Sequence, residues 1–258
     1  MLSDGHPLSS TRLAVHGFLD ASESAETVRR INGLRGRWTK RAAGYFTLGA
    51  ASYLDATESH DSYLAAAVQT NSLLSSAFGD LYSALLGFLA HVLDEPVSYG
   101  ERLALPGFHI FEFYGEPLEL PRLQDFQGYE SAEESAFERA HFDLQFRDAV
   151  PDWTPEATVS FTLPLEQPPG GAGLAVWPLD CAEAVRRNLS RAELSTFAAQ
   201  NPYERVSYET GRMILHDGFV LHSLLHTFAG ARAPAPKGQL ITLQGHGVRC
   251  DGRWTLFW

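Results

Sequence analysis

His141–Phe142–Asp143 sets an imidazole and a carboxylate two residues apart, and His222 lies 81 residues further along the chain. In a strand, alternation turns His141 and Asp143 to one face and Phe142 to the other. A close imidazole–carboxylate pair plus one distant imidazole can form the two-histidine, one-carboxylate face that holds non-haem Fe(II). Such a face leaves three positions for a co-substrate and dioxygen, which is what oxygen activation requires. The same residues also have a plainer meaning. An isolated His-x-Asp is common, His216, His226 and His246 compete with His222, and Asp217 to His222 also fits a hairpin with a satisfied core histidine.

The elements that must position these groups follow from periodicity and punctuation. Ser22 to Leu34 is a short amphipathic helix. Ser62 to Leu93 carries apolar residues at spacings of three, four and five, which predicts one broken helix or two helices interrupted near Gly79. Pro96 and Gly100 close this helical first hundred residues. From Leu103 onward the texture changes. Phe108 to Tyr114 is aromatic and β-branched and predicts a strand; Ser131 to Arg139 predicts a short helix or turn, and Ala140 to Phe146 a strand. Thr158 to Leu165 and Leu174 to Trp177 predict two strands around the Gly/Pro-rich loop 167–173, with Gly170 to Gly173 as a tight hairpin. Asp180 to Ala199 predicts a helix, with Ser190 and Glu193 at capping-box spacing. Arg212 to His216 and Phe219 to Ser223, around Asp217–Gly218, predict another strand pair, and Gln239 to Gly245 and Trp254 to Trp258 predict the last strands. Helices first and about eight strands afterwards, without alternation, favour a sandwich or jelly roll over a doubly wound sheet. The expectation is one domain over residues 1–258, mostly β with helices (α+β), in which 1–100 form a helical layer and 101–258 the β core.

Composition narrows the partners. The 258 residues hold 20 Lys+Arg against 31 Asp+Glu, a formal charge of −11, which disfavours nucleic acid and anionic membranes as partners. The acidity is concentrated: Glu112 to Glu156 contains twelve carboxylates and three arginines, whereas Val28 to Arg41 contains six basic residues and no acid. Such runs are usually solvated faces. Because the acidic stretch contains His141 and Asp143, it also suggests an approach that favours a cationic or ammonium-bearing substrate. Two cysteines, Cys181 and Cys250, exclude a disulfide framework or a Cys-rich zinc site. The first residues show no charged start followed by an apolar run, and Leu81 to Leu93 is too short to span a bilayer, so a cytoplasmic location is expected.

The ordered motifs carry a resemblance. His141-x-Asp143, Phe161 to Leu165, Gly170–Gly171-x-Gly173 running on to Pro178, and Gly211 to Gly218 followed by His222 resemble the Fe(II)/2-oxoglutarate-dependent dioxygenases over roughly residues 105–258. Phe46 to Asp55, Leu243 to Gly247 and the closing Trp254 to Trp258 are similar to a branch that hydroxylates or halogenates free amino acids. The resemblance implies a double-stranded β-helix (a jelly roll, cupin-like), with Fe(II) held by His141, Asp143 and His222 and with 2-oxoglutarate and O₂ as co-substrates. Halogenating members replace the carboxylate by a small residue; Asp143 is present, so hydroxylation of a small metabolite is implied. Relatives carry an Arg for the distal carboxylate of 2-oxoglutarate where this chain has Leu240. Lys237 is the first candidate to take over that role, with Thr242 as the accompanying hydroxyl, and Arg232 and Arg212 are the other cations within reach. His109, in its aromatic strand, faces either the pocket or the core; Trp177 and Trp254 read as core; Glu112 and Arg147 are candidates to sense substrate charge. The departure at Leu240 keeps open a metal-dependent cupin-type hydrolase or isomerase, and a non-catalytic jelly-roll binding protein would treat His-x-Asp as coincidence.

Overall fold

The structure is a computed structural model that describes residues 13–56, 59–113, 140–226 and 238–258. Its described elements are β1 (Leu13–Gly17), α1 (Ala21–Gly33), β2 (Thr39–Ala42), β3 (Tyr45–Leu48), α2 (Ser52–Asp55), α3 (His60–Leu93), β4 (Val97–Tyr99), β5 (Gly107–Phe113) and α4 (Phe146–Ala149). They continue with β6 (Ala157–Glu166), β7 (Ala172–Asp180), α5 (Cys181–Arg186), α6 (Arg191–Gln200), β8 (Glu204–Ser207), β9 (Arg212–His216), β10 (Val220–His226), β11 (Gly238–Cys250) and β12 (Arg253–Phe257).

Two sheets face each other, antiparallel throughout except for the parallel pair β4–β12. The larger has nine strands in the order β1-β9-β6-β11-β5-β3-β2, with β12 pairing both β11 and β4; the smaller has the order β10-β7-β8. Successive strands β6 and β7 lie in different sheets, as do β9 and β10. That repeated crossing is a jelly roll, and it corrects two expectations. The loop 167–173 and the Asp217–Gly218 turn are not hairpins; each carries the chain from the large sheet to the small one.

Strand alternation separates two environments. On β6, Val159, Phe161 and Leu163 join a core with Leu74, Phe78 and Leu85 of α3, while Thr158, Ser160 and Thr162 point between the sheets. On β11, Ile241 and Leu243 face the helices, whereas Leu240 packs between the sheets with Phe111, Phe113, Leu174 and Ile214. The result is a barrel whose outer wall is apolar and whose interior has an apolar end and a hydroxyl- and imidazole-rich end.

The helices form where their caps and apolar faces permit. Asp20 and Glu23 form a reciprocal capping box at the start of α1. α3 spans 34 residues but is broken by a kink at the non-helical Phe78 (φ −135°), next to the expected interruption near Gly79, and Asp94 ends it in the left-handed region. By length and composition alone α3 is long and apolar enough to cross a bilayer, but it packs its apolar face on the large sheet as a core helix. It buries Leu74, Phe78, Leu81, Leu85 and Leu89 against the large sheet and exposes Asp61, Ser72, Asp80 and His91. The helix expected over 180–199 is two helices, because Asn188 turns to φ +52° between them; Ser190 and Glu193 make the expected capping box of α6. The first hundred residues are not purely helical: β1, β2 and β3 extend the large sheet, β2 and β3 at one edge and β1 at the other. The strand expected over 140–146 reduces to a single bridge at His141, followed by α4. The expected element at 131–139 lies outside the described residues.

Candidate metal centre

Three backbone contacts assemble the centre. His141 and His222 exchange both backbone bonds, at 2.9 and 3.0 Å, as an isolated antiparallel bridge. The Asp143 N–H donates to the Gly218 carbonyl at 2.8 Å. Gly218 (φ +77°) cannot be another residue without movement: a Cβ there would lie 2.9 Å from the Asp143 carbonyl oxygen and 3.3 Å from the Asp143 Cβ. The turn from β9 to β10 therefore needs a glycine both for its dihedral and for the close approach of the Asp143 backbone.

The side chains converge on one point. His141 Nε2 lies 3.5 Å and His222 Nε2 3.6 Å from Asp143 Oδ1, and one ligand atom from each of the three residues lies within 4.8 Å of the others. His222 Nδ1 is 2.9 Å from the Val220 carbonyl, so Nδ1 carries a proton and Nε2 is the nitrogen that faces Asp143 and the centre; binding a metal there would require Nε2 to give up the proton it shares with Asp143. Ligand bonds of about 2.1 Å would put neighbouring donors about 3 Å apart, so the two imidazoles stand about half an ångström further from Asp143 Oδ1 than in a closed site, and all three donors lie within reach of one ion. Two imidazoles and one carboxylate on one face are the donor set that suits Fe(II) with open positions. The residues present fit that ion.

Electrostatics support an ionised carboxylate. Burial opposes the charge on Asp143, but the positive field of His222 and hydrogen bonds from His141 and His222 outweigh it, and the carboxyl is held well below the usual range. Burial also opposes a proton on His222, yet the facing Asp143 charge raises its pKa. Two neighbouring histidines behave oppositely. Burial pushes His216 and His109 each down to about 3, leaving both neutral.

The interior beyond the three donors is polar and largely uncharged. His246 Nδ1 is 3.0 Å from the Ser160 hydroxyl. His109 faces the interior on β5, and its Nε2 lies 2.5 Å from the Tyr53 hydroxyl and 3.3 Å from that of Tyr45. Tyr53 is brought there by α2, which Arg41 pins through a bidentate pair with Asp55 at 2.7 Å; Arg41 also donates to the Thr47 hydroxyl. Tyr53 and Asp55 lie in the stretch from Phe46 to Asp55 that carries part of the resemblance, but neither the contact with His109 nor the clamp with Arg41 is legible there, since α2, β2 and β5 meet only in the fold. Burial raises the Tyr53 and Tyr208 phenols above their ordinary value, so both remain protonated donors.

The other sequence-predicted residues separate cleanly. Thr242 is buried on the inward face of β11, beside His109 in register, and accepts from the Gln244 amide at 3.3 Å. Lys237 and Arg232 lie outside the described residues. Arg212 is half exposed at the start of β9, where it pairs with Glu209. Leu240, at the position where the resemblance implies an Arg, is buried between the sheets. Glu112 points to the helical side, where Arg35 binds it bidentately at 2.5 and 2.6 Å and Gln239 donates at 2.9 Å, so it does not sense charge at the centre. Arg147 is exposed on α4. Trp177 and Trp254 are fully buried core residues. A cavity of about 470 Å³ between Tyr99, Leu103, Val150 and Trp153 contains none of the three donors.

No protein-family model matches this chain, and no curated protein sequence matches it. Solved structures do. An N-substituted L-amino acid dioxygenase from Burkholderia ambifaria superposes with a TM-score of 0.55 at 13% identity, over 98% of this chain and 88% of the other. The same protein solved with alpha-ketoglutarate gives 0.53 at 14% identity and the same coverage. A non-haem alpha-ketoglutarate-dependent carbocyclase of nogalamycin biosynthesis gives 0.50 at 12% identity, over 96% and 92% of the two chains. The chain has the jelly-roll fold of the Fe(II)/2-oxoglutarate-dependent oxygenases.

Proposed function

We propose that this chain is a non-haem Fe(II)/2-oxoglutarate-dependent oxygenase that hydroxylates a small metabolite, a free amino acid or another amine-bearing compound. The observation that carries this reading is the convergence of His141 Nε2, Asp143 Oδ1 and His222 Nε2 on one point inside that fold. These three atoms would hold Fe(II), with Asp143 ionised and His222 oriented by the Val220 carbonyl. When bound, Fe(II) with 2-oxoglutarate and O₂ supplies the oxidant that converts a C–H bond to C–OH, while 2-oxoglutarate leaves as succinate and CO₂.

The chain's own residues orient and exclude. Thr242 offers a hydroxyl on the inward face of β11 for a carboxylate of 2-oxoglutarate, and Lys237 follows as the cation in the segment leading into that strand. Tyr53, His109 and His246 form a wall of neutral hydrogen-bonding groups, suited to holding polar substrate atoms without a competing charge. Leu240, Phe111, Phe113 and Leu174 close the apolar end of the barrel against water. An amine-bearing substrate is supported by the acid-rich stretch around His141 and by the amino acid substrate of the Burkholderia dioxygenase that shares this fold. The test is succinate release from 2-oxoglutarate, with Fe(II) and O₂, across a panel of free and N-substituted amino acids. Stimulation by one class of amine-bearing compound is expected. Stimulation only by compounds lacking an amine would overturn the substrate assignment, and no succinate with any compound would overturn the oxygenase reading.

A further inference from the structure

The carboxylate of Asp143 has two oxygens with different company. Oδ1 faces both His141 Nε2 and His222 Nε2 and accepts from the Gln145 amide at 3.0 Å. Oδ2 faces a fourth residue, His216, whose Nε2 is 3.6 Å away. His216 is 3% exposed, its ring centroid is 4.5 Å from that of His222, and it belongs to β9, hydrogen-bonded between β1 and β6. Its other ring nitrogen is already committed: the Gly218 N–H donates to His216 Nδ1 at 3.1 Å. A neutral imidazole has one proton, so an accepting Nδ1 leaves that proton on Nε2, directed at Oδ2.

We propose that His216 is a positioning residue: its Nε2–H holds the outer oxygen of Asp143 and keeps that carboxylate a one-oxygen ligand. The proposal rests on the metal-centre reading above and deepens it. A carboxylate that turned both oxygens to the ion would occupy one of the three positions needed for co-substrate and O₂. The Oδ2–Nε2 separation of 3.6 Å is close to the 3.5 and 3.6 Å between Oδ1 and the two ligand imidazoles, so closure of Asp143 and its histidines around an ion would bring His216 within hydrogen-bonding distance of Oδ2. The same proton placement excludes His216 as a fourth ligand, because a ligating nitrogen needs its lone pair. Gly218 thus serves twice, accepting the Asp143 N–H with its carbonyl and fixing the His216 tautomer with its own N–H.

Co(II) titration of the metal-free protein, without 2-oxoglutarate, tests this through affinity and the visible d–d spectrum. Thermal melts followed by circular dichroism check that each variant is folded. Losing an outer hydrogen-bonding partner of a ligand typically costs about 10- to 100-fold in metal affinity. His216→Met is expected to weaken Co(II) binding within that range and to change the spectrum as Asp143 becomes bidentate. His216→Gln, which sets an amide N–H near the Nε2 position, is expected to stay within about threefold of the unaltered chain. Should His216→Met not fold, His216→Phe replaces it in the same comparison. Binding by the donor-free variant within threefold and with an unchanged spectrum overturns the proposal. Equal loss in the Gln and donor-free variants, both folded, also overturns it and makes His216 a ligand. Absence of Co(II) binding by the unaltered chain overturns the metal-centre reading itself.

Discussion

Gly218→Ala separates the architecture of the centre from its donor atoms, because it touches none of them. Alanine at φ +77° carries a left-handed strain of about 1–2 kcal/mol. Its Cβ would stand 2.9 Å from the Asp143 carbonyl oxygen and 3.3 Å from both the Asp143 Cβ and the Ser160 hydroxyl. The nearest atom is backbone and has no rotamer to change, so relieving it displaces the His141–Asp143 segment, at about 1–3 kcal/mol. The total is about 2–5 kcal/mol, and at this chain length each kcal/mol lowers Tm by roughly 2–4 °C. The displaced segment carries two of the three donors, so Co(II) or Fe(II) affinity should fall about tenfold or more. Gly252→Ala provides the control: φ is +67° in the β11–β12 turn, and nothing lies within 4 Å of the added Cβ. It should show the strain alone and no change in metal affinity. Calorimetry and metal titration on both variants decide the matter. A Gly218→Ala protein that matches Gly252→Ala in both Tm and metal affinity would refute the close-approach reasoning.

Three further outcomes follow from the same geometry. Asp55→Ala strands Arg41, which is 13% exposed, without its bidentate partner, and should destabilise the fold by about 3–5 kcal/mol. The Arg41→Met/Asp55→Leu double variant should lose less than the sum of the single losses in urea unfolding, and strict additivity would contradict the clamp. His109 has its folded pKa depressed to about 3 by burial, so the unfolded chain takes up its proton first as pH falls. Its contribution is intact above the unfolded value near 6.5 and declines below it, by about 2 kcal/mol at pH 5. Stability of His109→Gln should therefore vary less between pH 7 and pH 5 than that of the unaltered chain; parallel curves would count against a neutral buried His109. Asp143→Asn removes the charge while keeping the shape, and should reduce metal affinity by more than tenfold; because the carboxyl is held well below its usual range, its charge also stabilises the metal-free fold at pH 7, and Tm should fall as well. Unchanged metal binding would remove Asp143 from the donor set.

The β core was legible because its strands carry their own signal. Arg212–His216 coincides with its sequence expectation, and β5, β6, β11 and β12 fall within a few residues of theirs, apart from the longer C-terminal half of β11. β6 shows why: apolar and hydroxyl residues alternate without interruption from Thr158 to Leu163. β1, β2 and β3 were missed because four or five residues, with Lys40 and Arg41 among them, hold no period of their own. β1 and β3 become strands by pairing with β9 and β5, far along the chain, and β2 by pairing with β3. The sheet-to-sheet crossings at 167–173 and at Gly218 were misread as hairpins because turn chemistry reports a reversal but not which sheet receives the next strand. His141, Asp143 and His222 were named from type and order before any geometry. His216 was weighed only as a rival to His222. On β9 the residues at 213, 214 and 215 are all apolar, so no alternation shows that His216 faces Asp143. Thr242 was named through the resemblance and not from alternation, since Leu240 and Ile241 are both apolar, whereas the Tyr53–His109 contact needed α2 and β5 brought together by the fold.

The most direct test of the account is anaerobic titration of the Fe(II)-loaded protein with 2-oxoglutarate, followed in the visible region, with Asp143→Ala run in parallel. The account predicts a saturable metal-to-ligand charge-transfer band at one equivalent of iron for the unaltered chain and no band for Asp143→Ala. A folded, Fe(II)-loaded protein that develops no band at saturating 2-oxoglutarate, or a band that survives the loss of Asp143, would contradict it.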